Sequence, residues 1–370
     1  MLFCLPVYMD YVLGEGVQQQ LFWDIIALLV VCAAFLFLLT NGLHDASSVV
    51  ATMIGCGAAQ PLHAVAYAGV LELMGAIFGG SAVAYTVAKM INVAPGRMLL
   101  LVLLVALAAA TAWNLFTWQV GLPSSSTHAL VGGLIGSVWI AAGPESIVWG
   151  MEELLAGEVT GIVKVVIGLV ISPLGGFAVA YVMQVVMEGL LKNTRFVPTN
   201  RWLKRLQWLM VGTLAYSHGA NDTQKVMGVI ILALMAAGQT VAGSYDIPIW
   251  LRLSVAVIMF IGILCGGWSI MKTLGRRIFT LRPIHSFDSL FASGSSLFAA
   301  TALGAPVSTT HLVVGSIIGV GAADEYRMVN WRTGQTMVVA WCVTIPASAL
   351  LAAILYLPLS WLIVNFWGGF

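Results

Sequence analysis

From Leu21 onward the chain is a succession of apolar runs about 20 residues long, punctuated by Gly, Pro and short polar clusters. A helix of that length crosses the hydrocarbon core of a bilayer. Of 370 residues, 60% are hydrophobic and 8% charged, against roughly 25% charge in a soluble domain. The runs are rich in Gly, Ala and Leu and show no barrel-type alternation. The pattern therefore predicts an all-α polytopic membrane protein whose obligatory partner is the lipid bilayer. A net charge of +1, with no basic tail, gives no basis for a nucleic-acid partner.

Gly, Pro and polar clusters divide the chain into helical segments at 21–40, 45–57, 63–88, 97–119, 125–142, 160–189, 203–218, 222–239, 248–272, 285–303, 308–322 and 334–366. The chain is two copies of one plan. Thr40-Asn41-Gly42-Leu43-His44-Asp45 aligns with Ser217-His218-Gly219-Ala220-Asn221-Asp222 at an offset of 177 residues. GLPSSSTHALVGGLIG at 121–136 aligns with GAPVSTTHLVVGSIIG at 304–319 at an offset of 183. Such agreement marks a duplicated unit of roughly 180 residues.

Charge sets the expected orientation. Lys192, Arg195, Arg201, Lys204 and Arg205 crowd the stretch between the copies, which is expected to be cytoplasmic. Lys272, Arg276, Arg277 and Arg282 mark a second cytoplasmic loop, whereas Glu145, Glu152, Glu153 and Glu158 fill a loop placed outside. Equivalent points then lie on opposite sides, as in an inverted-topology repeat. Six segments per copy is an even count, so each copy needs a broken or re-entrant helix, with the breaks expected at the two repeated motifs. The expected division is an external segment 1–20, a first inverted repeat 21–190, a cytoplasmic basic linker 191–206 and a second inverted repeat 207–370. Both termini are expected outside a cell (inner or plasma) membrane. Residues 1–20 lack a basic n-region and carry Asp10 and Glu15, so no cleaved signal peptide is expected. Cys4, Cys32, Cys56, Cys265 and Cys342 form no CxxC and read as small buried hydrophobes.

The chemistry concentrates in the repeated motifs. Asp45 and Asp222, with Asn41, His44 and Asn221, sit at matched positions among apolar residues, where a carboxylate costs several kcal/mol unless it meets a partner, an ion or water. They read as a cation and substrate site in which Gly42 and Gly219 let the backbone unwind. A single such Asp would read as a helix cap; two in register do not. Ser124, Ser125, Ser126 and Thr127, and their counterparts Ser308, Thr309 and Thr310, each follow a Pro and open an apolar helix. Capping accounts for one hydroxyl; a polar triple in both copies suits a tetrahedral oxyanion held at two helix starts. His128 and His311 either bond across the repeat, relay protons or hold the fold. Lys225, whose counterpart is Ser48, either pairs with Asp222 and meets the anion or snorkels to the surface. Glu72, amid Gly69, Gly75, Gly79 and Gly80, is a coupling candidate. The sequence carries no metal-ligand spacing, P-loop, nucleophile elbow or dinucleotide fingerprint, so neither an enzyme nor an ATP-driven pump is expected, and no cofactor.

At these residues the chain resembles the inorganic phosphate transporter (PiT) family, whose signature is a GAND-type motif in each half. GAND stands intact at Gly219 to Asp222 and as NGLHD at Asn41 to Asp45; SHGANDTQK and APVSTTH look like bacterial low-affinity phosphate permeases. The resemblance covers residues 21–366, without the large hydrophilic central loop of some members. It implies two inverted repeats and cation-coupled phosphate uptake. Asp45, Asn221 and Asp222 would then serve cation and phosphate, and Ser125, Ser126, Thr127, Ser308, Thr309 and Thr310 would bind phosphate oxygens.

The expected function is a secondary symporter importing inorganic phosphate by alternating access. Substrate contacts are expected from Ser125, Ser126, Thr127, Ser308, Thr309, Thr310, Asn221 and Lys225. Coupling is expected at Asp45, Asp222, Asn41, His44 and Glu72, with H+ favoured because His44 replaces the Asn of the full motif and histidine is the side-chain type whose free form exchanges a proton near neutral pH. Na+ at Asp45, Asp222 and Asn221 is the competing ion. A sulfate or other oxyanion symporter and, further off, an anion channel are the alternatives. The sequence leaves a homodimer open.

Overall fold

The computed structural model describes residues 15–239 and 247–367. Among them the fold is α-helical, the one extended pairing being an isolated bridge between Ile91 and Ile147. The first copy contributes α1 (Glu15–Gly55), α2 (Pro61–Phe78), the short α3 (Ala82–Ala88), α4 (Arg97–Gln119), α5 (Ser126–Ala142) and α6 (Gly161–Leu191). The second contributes α7 (Phe196–Ala236), α8 (Ile249–Cys265), α9 (Pro283–Ala302), α10 (Thr309–Glu325) and α11 (Trp331–Trp367), with a short helix Trp268–Lys272 and a π-turn Thr273–Arg277 after α8. Matched elements have equal lengths: α1 and α7 each have 41 residues, and α5 and α10 each have 17.

Five helices, Gln19–Gly55 within α1 together with α2, α4, α6 and Trp331–Asn365 within α11, are long and apolar enough to cross a membrane. Their outer faces carry exposed Leu28, Leu36, Val170, Leu174, Leu350 and Ile354, as expected of surfaces solvated by lipid. The cysteine expectation needs correction on the same ground. Cys32, Cys265 and Cys342 are exposed and Cys56 half-buried, because lipid solvates a thiol as readily as a protein interior does.

The copies interleave. α2 packs on α7 and α8 on α1; α6 packs on α10 and α11 on α5. Matched glycines make these crossings possible. A Cβ on Gly132 or Gly136 would lie 2.4 or 2.0 Å from the carbonyl oxygens of Ile345 and Ala349 on α11. One on Gly315 or Gly319 would lie 2.2 or 2.4 Å from those of Pro173 and Phe177 on α6. With no hydrophobic force between helices in lipid, such close backbone approach is what holds them.

Three sequence expectations are corrected. The helices do not break at NGLHD or at GAND: α1 and α7 run through both. Gly42 and Gly219 serve packing rather than unwinding. A Cβ on Gly219 would stand 2.1 Å from the Glu72 carbonyl oxygen, and one on Gly42 would stand 3.0 Å from that of Met259. The expected segments 63–88 and 248–272 each divide, at Gly80 (φ 89°) and Gly266 (φ 62°), both in the left-handed region that Gly tolerates. The basic stretch 191–206 is mostly helical, since α7 begins at Phe196. The external segment expected at 1–20 lies largely outside the described residues; Glu15 already belongs to α1.

The break expected at the second motif is present in both copies. α4 and α9 end at Gln119 and Ala302, left-handed Gly121 (φ 67°) and Gly304 (φ 63°) turn the chain, and Pro123 and Pro306 lead into α5 and α10. Seventeen residues make about 25 Å of helix, short of the roughly 30 Å hydrocarbon core. Both helices start among buried residues, from Ser124 to His128 and from Ser308 to His311.

Candidate functional site

The helix starts of α5 and α10 meet the middles of α1 and α7. Each start is capped in the same way. The Ser125 hydroxyl accepts from the His128 backbone N–H at 3.3 Å, and the Ser308 hydroxyl accepts from that of His311 at 3.4 Å. These two serines are thereby occupied as N-caps. The neighbouring hydroxyls point at the carboxylates. Ser126 donates to Asp45 Oδ2 at 2.6 Å, and Thr310, from the other copy, donates to Asp45 Oδ1 at 3.0 Å. His44 Nδ1 lies 2.8 Å from the same Oδ1.

Asp222 is held differently. Lys225 Nζ donates to its Oδ1 at 2.7 Å, to Thr127 Oγ1 at 2.6 Å and to the Val307 carbonyl at 2.9 Å. Asn41, from the first copy, donates to Oδ2 at 2.9 Å. His218 Nε2 lies 3.3 Å from Oδ2, and its Nδ1 lies 2.9 Å from Glu72 Oε2. Lys225 is 2% exposed, so the snorkelling alternative is corrected: the ammonium turns inward because a carboxylate one turn away awaits it.

Ligand atoms of Asp45, His218 and Asp222 lie within 4.8 Å of one another, a grouping able to hold a cation. Every side chain of this centre is buried, Asp45 at 3% and Asp222 at 2% exposure. Such carboxylates stay charged in a membrane interior only when cations and donors surround them.

The structure thus brings together Asn41, His44, Asp45, Ser126, Thr127, Thr310, Asp222, Lys225 and, through His218, Glu72. Asn221 turns aside. Its amide donates to Thr301 Oγ1 and to the Ala305 carbonyl, both at 3.0 Å, pinning the turn before α10, while its Oδ1 has no partner. Thr309 Oγ1 is buried without a partner. The His128 and His311 rings meet at a tilt of 44°, centroids 4.8 Å apart, and His311 stacks on Trp341 at 3.8 Å.

Four contributors escaped sequence reading. His218 bridges two carboxylates, and its i,i+4 spacing to Asp222 was the available signal. Thr117 Oγ1 lies 3.4 Å from His44 Nε2 and accepts from the Ser124 hydroxyl at 2.9 Å. Thr301 anchors Asn221, and the Val307 carbonyl receives Lys225. No local pattern announces these last three. Gln224 is a staple: its amide donates to the Gly79 carbonyl and its oxygen accepts from Val83 N, each at 2.8 Å, fixing the bend between α2 and α3. A cavity of about 310 Å³ lined by Glu188, Lys192, Thr199, Asn200 and Arg282 shares none of the site's side chains.

The sequence pattern of the phosphate transporter family matches residues 41–352. The chain belongs to this family. It is 36% identical over 341 residues to a probable low-affinity inorganic phosphate transporter of Bacillus subtilis, covering 91% of this chain and 98% of the relative. A probable low-affinity inorganic phosphate transporter of Rhizobium meliloti is 36% identical over 88% of this chain and 94% of its own length. Among solved structures, one titled as the sodium-dependent phosphate transporter superposes with a TM-score of 0.75 at 26% identity, covering 90% of this chain and 99% of that one.

Proposed function

We propose that this protein imports inorganic phosphate across a cell membrane as a cation-coupled symporter. The observation that carries this reading is the meeting of two hydroxyl-lined helix starts, Ser126–Thr127 and Thr309–Thr310, with Asp45 and Asp222 in one buried centre. Helix starts and hydroxyls suit an oxyanion. Carboxylates beside them are hostile to a bare anion and require that a cation come with it, so each ligand lowers the cost of burying the other. They also favour phosphate over sulfate. A protonated phosphate oxygen donates a hydrogen bond to a carboxylate, whereas sulfate at neutral pH has no proton to give. Membership of the family and the low-affinity phosphate relatives support the same substrate.

We favour H+ as the coupling ion. The ion-pair contacts Glu72–His218–Asp222 and the His44–Asp45 contact set buried groups able to carry a proton side by side. Na+ is the second reading, favoured by the cation-sized grouping of Asp45, His218 and Asp222 and by the sodium-dependent structural neighbour. The interleaved copies fit an inverted repeat that exposes one centre to either side in turn, with the basic stretch around Lys192–Arg205 cytoplasmic. Transport in proteoliposomes with independently imposed pH and Na+ gradients tests the proposal. Labelled phosphate should accumulate with an inward pH gradient, be competed by arsenate more than by sulfate, and collapse with an uncoupler. Strict dependence on Na+ overturns the proton preference, and failure to concentrate phosphate overturns symport in favour of a channel.

A further inference from the structure

Resting on the symport reading above, we infer that the Lys225 ammonium is a built-in cation that fills one of two matched cation positions, so that phosphate moves with one mobile cation where the duplicated plan provides for two. The donor set around Nζ is that of a small monovalent cation: a carboxylate oxygen at 2.7 Å, a hydroxyl at 2.6 Å and a backbone carbonyl at 2.9 Å. An ammonium has three N–H donors, and all three are spent. Lys225 therefore has no donor left for an anion in this state, and its part at the site is to neutralise Asp222.

The other copy shows what the position looks like without the tether. Asp222, Thr127, Val307 and Lys225 correspond to Asp45, Thr310, Ser124 and Ser48 at the repeat offsets. Where Lys225 stands between Thr127 and Asp222, Thr310 closes directly on Asp45 at 3.0 Å. Ser48 does not take the ammonium's place, because its hydroxyl donates to the Asp45 carbonyl at 2.6 Å. Asp45 thus faces hydroxyls and His44, with no fixed ammonium of its own, and is the carboxylate to which a mobile cation adds charge. Both carboxylates belong to one cluster, so neutralising Asp222 with a tethered charge also lowers the demand for a second free ion beside it.

Lys225→Ser, which installs the residue of the other copy, tests the inference. Wild type and variant are reconstituted in proteoliposomes, and labelled phosphate uptake is measured against H+, Na+ and Li+ with choline as the inert replacement. In wild type the apparent order in the coupling cation should be about one, and in Lys225→Ser about two, the second filled by Na+ or Li+. Uptake by the variant should rise more than tenfold from choline to Na+, whereas a merely structural lysine would lower uptake without changing its cation order. Measurable uptake with unchanged order overturns the inference. Where the variant does not fold, static-head measurements on wild type decide: phosphate should accumulate in proportion to the first power of the cation gradient, and a second-power dependence overturns it. Absence of any phosphate uptake by wild type is a different failure, that of the symport reading itself.

Discussion

Asp45→Asn and Asp222→Asn remove the same charge from matched positions, yet the structure predicts different consequences for folding. Both should lose transport. A unit charge at about 4 Å in a site of effective dielectric about 20 is worth about 4 kcal/mol, so losing it weakens cation binding by roughly a thousandfold. Stability divides the two. Asp222→Asn leaves the Lys225 ammonium buried among neutral acceptors alone, Thr127, the Val307 carbonyl and the new amide oxygen. Breaking one partner of a buried ion pair costs about 3–5 kcal/mol. Asp45→Asn strands no fixed ammonium; it perturbs the bonds from Ser126, Thr310 and His44, at about 1–3 kcal/mol. Thermal unfolding in detergent, followed through the 13 tryptophans, should therefore show Asp222→Asn melting clearly below Asp45→Asn. Asp222→Asn combined with Lys225→Met should recover the melting temperature without recovering uptake, since that pair leaves no buried charge alone. Equal stability of the two single variants would refute the assignment of Lys225 as the counter-ion. Uptake by Asp45→Asn at a rate comparable with wild type would refute the site.

Three further outcomes follow from the same geometry. Gly219→Ala places a methyl 2.1 Å from the Glu72 carbonyl oxygen and must push α2 from α7, so the protein should be recovered from membranes in much reduced amount, whereas Gly57→Ala meets no neighbouring atom and should change yield little, its strain at φ 69° being local. His218→Gln cuts the link between Glu72 and Asp222, so the pH dependence of phosphate uptake should change more than the substrate affinity does, as read from initial rates across pH at several phosphate concentrations. Arg282→Ala breaks an ion pair with Asp324 whose arginine is 54% exposed, and should shift unfolding by less than about 1 kcal/mol in detergent.

Much of the centre was legible because a duplicated sequence reports its own important positions. Asp45 and Asp222, and the hydroxyls after Pro123 and Pro306, stand out by register alone, and the structure brings them into contact. The capped helix starts were legible too, since Ser followed by an apolar run has few other readings. What sequence could not decide was the use of glycine. In NGLHD and GAND it fits an unwound helix and a close crossing equally well; only the carbonyl 2.1 Å from a Cβ on Gly219 separates them, and it belongs to a helix some 147 residues away in sequence. The divisions at Gly80 and Gly266 were hidden because apolar residues continue on both sides. Partners such as Thr301 and the Val307 carbonyl carry no signature before the fold brings them in.

The copies have diverged around the two buried carboxylates, and the divergence has a direction. Corresponding glycines fix the correspondence: Gly219 abuts Glu72, and Gly42 abuts Met259, so Met259 stands where Glu72 does. Asn41 stands where His218 does, and Ser48 where Lys225 does. Each of these three differences puts the ionisable group in the second-copy position or its partner helix and the neutral one in the matched position, although Asn41 reaches across to Asp222; only the pair His44 and Asn221 runs the other way. Asp222 is accordingly paired with the Lys225 ammonium and lies beside His218, while Asp45 is held by Ser126, Thr310 and a single histidine. Two equal carboxylates would compete for one cation and leave its position undefined. On the symport reading proposed above, unequal ones define it: the carboxylate with its own ammonium anchors the cluster, and the one without is where an ion arriving with the substrate would gain most.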